Sequence, residues 1–172
     1  MNATYQFTIP VFTKGLKALE ALLSKVETIS KEKGMDEAAL LEQRLAPDMF
    51  PFKKQVQIAC DNAKGAGARL SGVEVPKHED NEASFAELRT RIQKTLAFLE
   101  TVSEESFTGA DERQITLAYF PNVYFTGFDY ARDYCLPNFF FHLTTAYAIL
   151  RKEGFEIGKQ DYMGTLPLKP IV

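Results

Sequence analysis

The chain has 172 residues, 45% hydrophobic and 25% charged, with 20 basic and 23 acidic side chains and a formal net charge of −3. That is enough chain for a single domain over residues 1–172 with its own core. The balance leaves no basic stripe for nucleic acid, and no apolar run approaches the roughly 20 residues of a membrane span.

The start of the chain shows no basic flank followed by an apolar stretch, so no leader is expected. Two cysteines, Cys60 and Cys135, are too few for a disulfide framework. Reduced thiols and a cytoplasmic location follow as the expectation. The two histidines, His78 and His142, cannot make a three-histidine site within one chain.

The spacing predicts a first helix from about Val11 to Lys33, with Phe12, Leu16, Leu19, Leu22, Val26 and Ile29 on one stripe. Gly34 follows as a left-handed cap. Asp36 to Leu45 reads as a short helix ending before Pro47. A second long helix starts near Met49 to Pro51 and runs to Gly72, its seam formed by Phe52, Val56, Ala59, Ala63, Ala66 and Leu70. Residues 73–83 are a polar loop. Ser84-Phe-Ala-Glu87 has the form of a capping box and opens a third long helix to about Val102.

Arg113 to Tyr119 alternates, Phe120-Pro-Asn122 signals a turn, and Val123 to Thr126 returns, which predicts a short hairpin. Asp129 to Tyr134 reads as one helical turn stopped near Pro137. Asn138 to Glu153 is the last long helix, and Gly158 to Val172 is expected to be irregular surface chain. Four amphipathic helices in one small domain specify an all-α fold, a four-helix bundle with a hairpin insertion before the last helix. The connection of about 15 residues between the first two long helices is long enough for a crossover.

Chemistry concentrates on the last helix. Asn138, His142 and Thr145 stand at i, i+4 and i+7 on one side, with His142 beside the buried seam. A neutral imidazole there needs hydrogen-bond partners, which Asn138 or Thr145 could supply. On the second long helix, Gln57 and Asp61 share a face that the wheel turns away from the seam, toward solvent. Eleven of the 21 aromatic residues fall between Tyr119 and Tyr147, either capping the bundle or walling a small-molecule pocket or a dimer surface. Tyr147 and Thr145 are candidate binding residues on that wall. There is no GxGxxG, Walker or HExxH pattern. Cys60 and Cys135 have no neighbouring base in sequence and read as buried, inert thiols.

The runs PNFFFHLTTAYAILRKEGFEIGKQDYMG and QVQIACDNAKGAGARLSG resemble domain-of-unknown-function family 1993, within the DinB/YfiT-like metalloenzyme superfamily. The resemblance covers essentially the whole chain. It implies an up-down-down-up bundle, frequent homodimers, and a divalent metal (often zinc or nickel) bound by one histidine of helix two and an H-x3-H pair of the last long helix. In this chain the pair reads Asn138 and His142, and the helix-two position falls at about Gln57. One imidazole of three is retained, and amide oxygens are poor ligands for zinc or nickel. No cofactor is therefore assigned.

The resemblance implies that Gln57, Asp61, Asn138 and His142 converge on a polar pocket between helices, against the wheel. On that reading His142, oriented by Asp61, is the acid/base candidate, and the ligand is a small molecule. A weak metal-dependent hydrolase or thiol transferase and a non-catalytic homodimeric scaffold are the alternatives.

Overall fold

The computed structural model describes residues 1–171. α1 runs from Ala3 to Glu32, eight residues earlier than Pro10 suggests. Asn2 starts it, its side-chain oxygen accepting from the Tyr5 N–H at 2.9 Å. Pro10 sits inside α1, where its missing N–H costs one hydrogen bond, and the surrounding packing holds the helix across it. α2 is shorter than expected, Glu37–Leu41, capped by Asp36. α3 spans Phe52–Ser71 and ends on Gly72 at φ 80°. α4 spans Phe85–Glu100. Its Ser84 cap accepts from Glu87 N–H, while the Glu87 carboxylate reaches the N–H of Ala83, one residue before the box pattern.

The hairpin is smaller than its alternation suggests. β1 is Gln114–Ile115 and β2 is Phe125–Thr126, antiparallel with Ile115 opposite Phe125. Ile115 and Leu117 are buried, but Tyr119 is 82% exposed, so the chain leaves the sheet before it. The next segment is helical throughout: α5 at Gly127–Asp129, a π-helical turn at Tyr130–Cys135, then α6 at Leu136–Lys152. Pro137 does not stop the helix. It lies in the first turn of α6, and just before it the Leu136 N–H donates to Ala131 O, five residues back.

The tail is partly ordered as α7, Lys159–Met163, which docks on α1. The Lys25–Asp161 ion pair at 3.0 Å and the approach of Gly164 to Ala18 hold it there. Val172 lies outside the described residues.

Around the bundle, α1 packs on α4, α4 on α3, α3 on α6 and α6 on α1. Cross-helix pairs give the directions. Glu20–Gln93 and Tyr5–Val102 make α1 and α4 antiparallel. Asp61–Arg91 and Gly67–Leu99 make α3 and α4 parallel. Gln55–His142 and Arg69–Tyr130 make α3 and α6 antiparallel. The arrangement is up-down-down-up.

The crossover is therefore the α3–α4 connection, not the α1–α3 connection. A 20-residue α3 is about 30 Å long, and the 12 residues after Gly72 span at most about 40 Å. Residues 73–84 must run back nearly extended along α3, and this return brings Asp80 and Glu82 beside its first turns. One apolar cluster, from Ile9 to Ile157, fills the interior.

Candidate functional site

The α3–α6 seam carries one imidazole. His142 is 8% exposed, and its Nδ1 lies 2.7 Å from Oε1 of Gln55. The partner is Gln55, not Gln57. Gln55 is three residues past Phe52 and four before Ala59, so it belongs to the buried seam; Gln57, two residues on, points about 200° away around the helix.

The hydrogen bonds fix the tautomer. Gln55 Nε2 donates to the Phe50 carbonyl at 2.9 Å, which leaves Oε1 to accept. Nδ1 of His142 must therefore carry the proton, and Nε2 presents a lone pair. Nε2 has no hydrogen-bond partner among the described residues. Burial pushes the imidazole down to about 4, so the ring is neutral at pH 7.

Asn138, one turn before His142, is half-buried and its amide makes no hydrogen bond among the described residues. The Thr145 hydroxyl donates to Phe141 O at 2.7 Å and is spent within its own helix. Tyr147 lies on another face of α6, edge-on to Tyr162 of α7.

Gln57 and Asp61 belong to a different cluster, which corrects the expected convergence on His142. Gln57 Nε2 donates to Glu82 at 2.7 Å. Asp61 accepts from Arg91 at 2.8 Å and Lys64 at 3.0 Å. Arg91 is 2% exposed; its terminal nitrogens also meet Asp80, Glu82 and the Glu79 carbonyl. Burial raises both the Asp80 and Glu82 carboxyls, but the Lys54 hydrogen bond on Asp80 and the Arg91 hydrogen bond on Glu82, with the charge of Arg91, hold them below the usual range. With Lys54 on Asp80, three cations face three carboxylates.

The cluster binds the returning 73–84 segment to α3 and α4. A recess of about 590 Å³ opens beside it, lined by Lys77, His78, Glu82, Thr90, Arg91 and Lys94. Burial first, then the nearby Lys64 and Arg91, holds His78 below its ordinary value. Arg91 and its partners escaped sequence analysis, because α4 periodicity gives only a position beside Leu88 and Ile92. Nothing in that spacing says that a loop will double back to meet it.

The donor set does not fit the superfamily's divalent metal. His142 has amides, Gln55 and Asn138, as its polar neighbours in space and sequence, and Asp61 is engaged on the opposite side of α3. Among the described residues no group of three or more His, Cys, Asp or Glu side chains could hold a metal ion. Cys60 and Cys135 are buried, and burial pushes both thiols up to about 12, far from a nucleophilic thiolate at neutral pH.

The chain matches a family described as Domain of unknown function (DUF1993) over residues 4–163. It is similar to a solved structure, the crystal structure of a DinB family member protein from Shewanella denitrificans. The two are 45% identical, with a TM-score of 0.93, over 97% of this chain and 95% of that one. No curated protein matches it. The match over nearly its whole length and the up-down-down-up bundle place the chain in the DUF1993 family, with a DinB-like fold.

Proposed function

We propose that this chain is a small-molecule-binding member of its family, whose ligand donates a hydrogen bond to Nε2 of neutral His142 with no metal between them. The observation that carries this reading is the relay Phe50 carbonyl, Gln55 amide, His142 imidazole, which spends every polar atom except Nε2. A ring held in one tautomer, with its basic nitrogen unpaired, is arranged to accept a proton or a hydrogen bond. Asn138 is the second polar group within one helical turn. Asp61 drops out of the catalytic role expected for it, and Gln57, Thr145 and Tyr147 out of the binding set.

The buried thiols accord with a reducing, cytoplasmic setting. Among the described residues no helix is long and apolar enough to cross a membrane. Homodimerisation remains part of the proposal. Its support is the outer face of α6, where Phe140 and Phe141 are 39% and 55% exposed.

The test is binding by untagged protein. Hydroxyl- and amine-bearing metabolites are screened by amide NMR against wild type and His142→Gln, and bound zinc and nickel are measured. The expected result is at least one compound whose shifts centre on α6 in wild type and vanish in His142→Gln, with metal well below one per chain. Stoichiometric metal lost in His142→Gln would overturn the metal-free reading; a silent screen would overturn the ligand.

A further inference from the structure

The recess beside the Arg91 cluster is lined by charges of both signs, and the fold sorts them along its length. α4 supplies Glu87, Thr90 and Lys94 to one wall. Glu87 and Lys94, seven residues apart, share a face and stand about 10 Å apart along the axis. The returning segment runs antiparallel beside them. Its end nearest Ser84 meets the acidic end of that wall, where the Glu87 carboxylate takes the Ala83 N–H. Farther from Ser84, Lys77 and His78 reach the basic end, and Lys94 is among the cations whose charge acts on His78. Glu79 lies between, its carbonyl held by Arg91.

Charges in this part of the molecule are mostly paired. Lys54, Lys64 and Arg91 meet Asp61, Asp80 and Glu82. Lys77, Glu79, Glu87 and Lys94 make no ion pair among the described residues, although all four line one recess of about 590 Å³. The imidazole adds a directed donor. His78 Nδ1 is sealed from solvent without a partner, whereas Nε2 also lacks a protein partner but is not sealed. A ring N–H is better placed where water reaches it, so the proton of neutral His78 sits on Nε2 and the sealed Nδ1 keeps its lone pair. His78 lines the same recess as the Lys77 and Lys94 ammonium groups.

We propose that this recess binds a small zwitterion whose ammonium and carboxylate stand about 5 Å or more apart, the chemistry shared by short peptides and ω-amino acids. The carboxylate takes Lys77, Lys94 and the His78 Nε2–H, and the ammonium takes Glu79 and Glu87. Between them, the Thr90 hydroxyl donates to Ala86 O at 3.0 Å and keeps a lone pair for a peptide N–H. An α-amino acid holds its charges too close together to span the two ends; one further peptide unit adds about 3.5 Å. The recess lies on the α4 side of α3, away from the His142 seam, and does not depend on the function proposed above.

The experiment titrates dialanine and 5-aminovalerate and reads affinity by amide NMR and calorimetry. N-acetyl-dialanine and valerate lack the ammonium, dialanine amide and pentylamine lack the carboxylate, and alanine is too short. At least one zwitterion is expected to bind about tenfold tighter than its single-charge analogues, the worth of one charge-assisted contact. Dialanine ahead of 5-aminovalerate assigns the ligand to peptides, and the reverse order assigns it to ω-amino acids.

Glu87 and Lys94 are exposed, so their variants keep the fold, and glutamine at 87 preserves the capping contact. Lys94→Gln should weaken the zwitterion about tenfold and leave the carboxylate-free analogue unchanged, while Glu87→Gln should do the same with the ammonium-free analogue unchanged. The His78 Nε2 resonance should move on titration. His142→Gln should leave these affinities unchanged, so the two sites succeed or fail separately. The proposal is overturned if neither zwitterion shifts the amides of residues 77–94 at about 20 mM, a concentration that would reveal even a weak site. It is equally overturned if the single-charge analogues bind as tightly, or if binding is indifferent to Lys94→Gln and Glu87→Gln.

Discussion

α3 carries polar side chains on two sides, and the fold settles them differently. Toward α4, Lys54, Gln57, Asp61 and Lys64 meet Arg91, Glu82 and Asp80 in a cluster of three cations and three carboxylates. Toward α6, Gln55 holds His142 without any charge, and Asn62 and Arg69 keep unused hydrogen-bonding capacity. The charged side has an architectural reason. A connection that must return the length of α3 buries little apolar surface, so Arg91 fastens it with ion pairs and a carbonyl contact. The α6 side has no such duty, yet it keeps unpaired groups at a cost in stability. Strain retained without structural need is where binding is to be sought.

Breaking the charged side should cost most. Arg91→Met leaves Asp61, Asp80 and Glu82 facing one another, and is expected to lower unfolding free energy by about 3 kcal/mol, read by urea denaturation. The return segment should show the change first, as faster amide hydrogen exchange over residues 77–83. An unchanged urea midpoint would mean that the cluster is ornamental.

The α6 side predicts a pH dependence of its own. His142 is held near 4 in the fold but titrates near 6.5 when unfolded. The unfolded chain therefore binds the extra proton first. The contribution is complete above pH 6.5 and is lost as pH falls toward 4, by up to about 3 kcal/mol. His78 is also held below its ordinary value and adds to the same slope, so the comparison is wild type against His142→Asn. The variant should be flatter between pH 6.5 and 4.5. Asp80 and Glu82, lowered in the fold, lose their contribution only below about pH 4.5. Identical slopes would show that His142 is not desolvated in the fold.

Gln55→Leu should cost about 1–3 kcal/mol, because Nδ1 of His142 loses its buried acceptor. Asp61→Asn is the smallest change, within about 1 kcal/mol, since its side chain is 41% exposed and Arg91 keeps two carboxylates. It should leave the His142 ring untouched. A shifted imidazole resonance in Asp61→Asn would reconnect the two sides of α3.

Much of this was legible from residues alone. The stripes of α1, α3, α4 and α6 and the Ser84 cap follow from spacing, but nothing in that spacing singles out Gln55, a polar residue between Phe52 and Ala59. The helix-two slot carried over by resemblance missed by two residues, which on a helix exchanges one neighbour for another: α6 for the returning segment. Pro10 and Pro137 each look like helix boundaries, yet packing carries α1 through the first and a π-turn joins α6 across the second. The Arg91 cluster was illegible because its partners come from a connection whose path depends on the whole topology.

The most direct test is a long-range ¹H–¹⁵N spectrum of the histidine rings, followed from pH 7.5 to 5. The account predicts that His142 shows a protonated Nδ1 and an unprotonated Nε2 throughout, and that Gln55→Leu releases this single tautomer. A His142 ring that carries its proton on Nε2, or that titrates with a midpoint near 6.5, would contradict it.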